Sequence, residues 1–140
     1  MAYAPAEKKV IVSIDDMPSN LIAIKSILEP MFDVRLAKEA EQALALLKRE
    51  TIDLVLLDIE MPKYNGFDFL QLMQEDPMLA HIPVIFVTTH ATSSFILRAA
   101  NAGAKGYILK PFKPSLLLQK VLDQLGMDAP TAHQDNTCPL

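Results

Sequence analysis

Four short apolar runs in this chain each end in a residue able to do chemistry. Val10–Ile14 leads into Asp15-Asp16, Leu54–Leu57 into Asp58, Val84–Val87 into Thr88, and Tyr107–Leu109 into Lys110-Pro111. Side by side, these ends would bring three carboxylates, a hydroxyl and an ammonium into one small space. Two unit charges about 4 Å apart at an effective dielectric of about 20 repel by about 4 kcal/mol. Clustered aspartates therefore need a raised pKa or a cation. An all-oxygen acidic set without His or Cys suits Mg²⁺, with Mn²⁺ able to substitute, and does not suit zinc. Lys110 supplies a second, permanent positive charge. Phosphoryl transfer is the reaction that uses such a set, because its transition state spreads negative charge over the equatorial oxygens of the moving group. A divalent cation, Lys110, and the Thr88 hydroxyl or nearby backbone N–H groups would each hold one oxygen. The carboxylate left over is a nucleophile. Asp58 stands alone and fits that part, while the adjacent Asp15 and Asp16 are placed to share the metal.

These ends need a frame that aligns them. Apolar runs of strand length alternate with longer stretches of helical period. Strands are expected at 9–14, 33–37, 54–57, 84–87 and 106–109, and helices at 19–29, 39–49, 67–75, 94–101 and 114–125. Pro18 and Ser19 are good helix-start residues, Pro30 stops the first helix, and Gly103 ends the fourth. The expected buried stripes are Leu21, Ile24, Ile27 and Leu28 in the first helix, Ala43, Leu44 and Leu47 in the second, and Leu117, Leu118, Val121 and Leu125 in the last. The continuously apolar runs 54–57 and 84–87 read as strands covered on both faces, as in parallel sheets. The mixed run 33–37 reads as an edge strand. Five strand–helix alternations predict a doubly wound α/β domain with right-handed crossovers and the flavodoxin-like strand order 2-1-3-4-5. In such sheets ligands bind beyond the carboxyl ends of the strands, where the reactive residues lie.

The chain has 140 residues, of which 51% are apolar, enough for one core. We expect a single domain over residues 8–125, with 126–140 as a flexible tail or the start of a linker. No apolar stretch approaches the roughly 18–20 residues that span a bilayer, and residues 1–9 lack a secretory segment. The net charge of −4 argues against direct nucleic-acid binding. The single cysteine, Cys138, cannot form an internal disulfide. A cytoplasmic protein with no membrane partner is expected.

Taken singly, Asp15 and Asp16 could cap a helix, Asp58 and Thr88 could serve turns, and Lys110 could be a solvated lysine. Their joint placement favours a site. Asp15-Asp16, Asp58 within Leu56-Leu57-Asp58-Ile59-Glu60-Met61-Pro62, then Gly66, Thr88 and Lys110-Pro111-Phe112 resemble the receiver domain of two-component response regulators, chemotaxis-regulator-like, over residues 8–125. The resemblance implies a signalling switch rather than an enzyme. A histidine kinase or phosphotransfer protein would phosphorylate Asp58 with Mg²⁺. Asp16 would be the direct metal ligand, Asp15 would assist, and Asp58 and the Glu60 carbonyl would complete the set. Lys110 would bind the phosphoryl group, Thr88 would move toward it, and Tyr107 would turn inward. It also implies a cis Lys110-Pro111 bond, an output face of fourth helix, fifth strand and fifth helix that meets an effector or a second copy, and an influence of Glu60 and His90 on the lifetime of the phosphorylated state. Thr89 stands where the family often has a smaller residue. Two other readings fit less well. A haloacid dehalogenase-type phosphohydrolase would carry its acidic pair last, and here the pair comes first. A flavodoxin-like cofactor carrier would not place the acidic turn Asp15-Asp16-Met17-Pro18-Ser19 where a phosphate must sit.

Overall fold

A computed structural model describes residues 8–61 and 63–127. The expectation of a tail over 126–140 lies largely, and the place of Cys138 wholly, outside the described residues. Five strands, β1 (Val10–Ile14), β2 (Asp33–Ala37), β3 (Leu54–Leu57), β4 (Val84–Thr88) and β5 (Gly106–Leu109), alternate with five helices. The helices are α1 (Pro18–Leu28), α2 (Ala40–Arg49), α3 (Gly66–Glu75), α4 (Ser93–Asn101) and α5 (Pro114–Leu125). All strands pair in parallel, in the order β2-β1-β3-β4-β5. The predicted class and order are both present. Element ends differ from expectation by about one residue, the usual scatter at fraying ends.

The register aligns the chemistry. Ile14 pairs with Leu57 across β1 and β3, so Asp15 and Asp58 follow from adjacent strands at the same height. Thr88 pairs with Leu109, so Lys110 leaves β5 just beyond Thr88. Every residue of β3 and β4 is buried, as continuous apolar runs require when helices cover both faces of a sheet. One core layer packs α2 and α3 on the sheet through Ala43, Leu47, Phe69, Leu70 and Phe86. The other packs α1 and α5 through Ile24, Leu28, Leu56, Leu117 and Val121.

The predicted stripes hold in outline, with differences at their margins. Ile27, Leu44, Leu118 and Leu125 are only partly buried, while Leu46 and Leu122 are buried. Phe32, Ile52, Leu79 and Ile82 enter the core from connections between elements, where no helical or strand period marks them. Gly103 follows the α4 cap with φ of 100°, the left-handed conformation expected where a glycine ends a helix.

Candidate functional site

β1, β3 and β5 deliver Asp15, Asp16, Asp58 and Lys110 to one cleft at the carboxyl edge of the sheet. Single oxygens of Asp15, Asp16 and Asp58 all lie within 4.8 Å of one another. Lys110 Nζ donates to Asp15 Oδ2 at 2.8 Å and stands 3.6 Å from Asp58 Oδ2. Asp15 is buried and fully engaged: its Oδ1 accepts from the Met17 backbone N–H at 2.9 Å, and its Oδ2 also accepts from Asn20 Nδ2 at 3.1 Å. Asp16 is half-buried and lines the open cleft together with Asn20, Asp58, Glu60, Thr89 and Lys110. The Lys110-Pro111 peptide bond is cis.

Asp58 is 7% exposed. Burial pushes its carboxyl from 3.8 up to about 6; the Lys110 ammonium opposes this rise, and the Asp15 and Asp16 carboxylates add to it. A carboxylate so destabilised among like charges favours a cation beside it. The donor set fits a hard divalent ion: clustered oxygens, no sulfur or imidazole among the clustered groups, and an open side on the cleft.

The loop after Asp58 is held tightly. Glu60 bridges to Asn65, whose side chain caps α3 by accepting from the Phe67 N–H at 2.7 Å. Gly66 N–H then donates to the Ile59 carbonyl, and a Cβ at Gly66 would stand 2.6 Å from the Asp58 carbonyl oxygen. Only glycine lets α3 begin that close to the Asp58 backbone.

Thr88 ends β4 fully buried, and its Oγ1 accepts from the His90 N–H at 3.4 Å. At the cleft wall stands its neighbour Thr89. Tyr107 is half-buried; its hydroxyl donates to the His90 carbonyl at 2.8 Å, its ring edge meets Phe86, and burial raises its pKa. The connection from β4 to α4 is thus bonded to Thr88 on one side and Tyr107 on the other. His90 Nε2 also lies 2.9 Å from Glu60 Oε2, and its ring stacks on Phe95 of α4 with centroids 4.1 Å apart. Glu60 lines the cleft, and His90 reaches it through Glu60. Their direct pairing and the stack on Phe95 depend on loop paths that no sequence period encodes. Asn20 was not singled out from sequence; its only signal is an amide on the first helical turn, close after an acidic pair.

Comparison with known proteins agrees with this geometry. The response regulator receiver domain family matches residues 11–122. Chemotaxis protein CheY-3 of Vibrio cholerae is 34% identical over 113 residues, covering 79% of this chain and 87% of that protein. A probable cyclic di-GMP phosphodiesterase of the same species is 33% identical over 121 residues, and this chain spans only 27% of its length. The crystal structure of a CheY-like response regulator receiver domain from Methanospirillum hungatei superposes with a TM-score of 0.78 at 32% identity, covering 86% of this chain and 95% of that one. Sheet order, acidic cluster, lysine and family match converge: the chain belongs to the response regulator receiver domains of two-component systems.

Proposed function

We propose that this receiver, over residues 8–125, takes a phosphoryl group on Asp58 from a cytoplasmic histidine kinase or phosphotransfer protein and converts it into a change of the α4–β5–α5 face. The observation that carries this reading is the Asp58 carboxylate set among Asp15, Asp16 and Lys110 at the strand ends. Asp16, Asp58 and the Glu60 carbonyl would hold Mg²⁺ or Mn²⁺, with Asp15 assisting. When bound, the ion neutralises charge on the phosphoryl oxygens.

In the transfer, an Asp58 oxygen attacks phosphorus and forms the O–P bond. The P–N bond to the donor imidazole breaks, and its electron pair stays on the nitrogen. The acyl phosphate adds about 1.5–2 negative charges at pH 7. Lys110, already 3.6 Å from Asp58, turns to the new oxygens. The Thr88 hydroxyl gives up the His90 N–H and donates to the phosphoryl group. Tyr107 follows, since it holds the same connection through the His90 carbonyl. The populations of two arrangements of α4 and β5 shift, and the face meets an effector or a second copy of the chain.

The test is to add acetyl phosphate and Mg²⁺ and map amide chemical shifts. Changes concentrated in Thr88–Leu109 and α5 are expected. Changes confined to α1, α2 and β2, or catalytic turnover of many phosphate esters per chain, would contradict the switch.

Glu60 lines the cleft and is paired with His90, and the pair would stand in the way of attacking water. Replacing both by alanine is expected to speed loss of the phosphoryl group several-fold. An unchanged dephosphorylation rate would remove the pair from the account.

A further inference from the structure

We propose that Asn20 is a positioning residue for the metal site, acting through Asp15; the inference rests on the phosphoryl-switch reading above. Asn20 belongs to the first turn of α1, and its backbone N–H donates to the Met17 carbonyl at 3.0 Å. Met17 is the helix cap residue and has no side-chain cap bond of its own. At such a position a polar side chain commonly turns back to the cap residue's own backbone. Here the amide reaches past it, to Asp15 Oδ2 at 3.1 Å.

The consequence is a carboxylate fixed from three directions. The Met17 N–H holds Oδ1, while Asn20 and Lys110 share Oδ2. The Asn20 donor carries no charge. It therefore orients Asp15 without neutralising the negative cluster that a divalent ion requires. It differs in this from Lys110, which does both and must be free to move to a phosphoryl oxygen. When Lys110 leaves, Asn20 and the Met17 N–H remain as the groups that keep the buried Asp15 in place. Asn20 is only half-buried and lines the cleft, so its removal exposes no core.

Groups that hold a metal site's ligands in place typically change metal affinity by about 10–100-fold when removed. Asn20→Ala is therefore expected to weaken Mn²⁺ binding about tenfold, read by loss of the free-ion electron paramagnetic resonance signal on titration. Alanine is a good helix former at this half-exposed position, so the fold is kept. A second reading separates action through Asp15 from any other role. The Met17 amide, bonded to the same carboxylate, should shift in the metal-free spectrum and exchange faster with solvent. Unchanged Mn²⁺ affinity would overturn the proposal. So would weakened affinity with the Met17 amide unmoved. Failure of the unaltered chain to bind Mn²⁺ would instead overturn the underlying switch reading, and this proposal with it.

Discussion

Lys110→Met is expected to cost the metal-free receiver about 3–5 kcal/mol of folding stability at pH 7, the usual penalty for removing one partner of a buried ion pair. Methionine keeps the apolar stem and removes only the ammonium. What remains is Asp15 at 2% exposure and Asp58 at 7%, facing each other without the cation that stands 2.8 and 3.6 Å from them. Because Lys110 holds the Asp58 carboxyl down, its loss lets that pKa climb beyond about 6. Part of the lost stability should return on acidification, as Asp58 takes up a proton. Part should also return on adding Mg²⁺, which replaces the missing charge. Urea unfolding with and without chelator measures both. If Lys110→Met unfolds at the same urea concentration as the unaltered chain, the ammonium is not what holds the cluster.

Asp58→Asn should act in the opposite direction. The Asp58 carboxyl sits at about 6 in the folded chain against 3.8 for the ordinary side chain. Between those values the folded state binds more protons than the unfolded one, so this group's contribution to stability falls as pH rises. Its stabilising share is full below 3.8 and is lost as pH passes about 6. Above that, the ionised carboxylate burdens the fold by about 3 kcal/mol in the absence of metal. Asparagine removes the burden. In chelator at pH 7, Asp58→Asn should be more stable than the unaltered chain by about that amount, and the gap should close as pH falls from 7 toward 4. A constant gap across that range would show that burial does not raise Asp58.

Both predictions describe a site that trades stability for function: three carboxylates are gathered within 4.8 Å and one lysine keeps them tolerable. The cost is legible in the sequence because the register is. Each reactive residue ends an apolar strand or follows within two residues of it, and in a parallel sheet strands of matched register end at one edge. The core was legible for the same reason wherever apolar residues keep a period of two or 3.6. Phe32 and Leu79 escaped because they belong to connections. α1 was expected at Ser19 and begins at Pro18, because its start is fixed from outside the helix by the Asp15 carboxylate on the Met17 N–H. Asn20 escaped likewise: its meaning lies in a bond back to Asp15 that no helical period marks. The Glu60–His90 contact joins two loops, and no period in the sequence pairs them.

The central claim is that Asp58 accepts the phosphoryl group, and intact mass spectrometry tests it most directly. The unaltered chain and Asp58→Asn are each incubated with acetyl phosphate, with Mg²⁺ and with chelator. The unaltered chain should gain one phosphoryl group with Mg²⁺ and little in chelator, and Asp58→Asn should gain none. An equal gain in Asp58→Asn, or no gain in the unaltered chain with Mg²⁺, would contradict it.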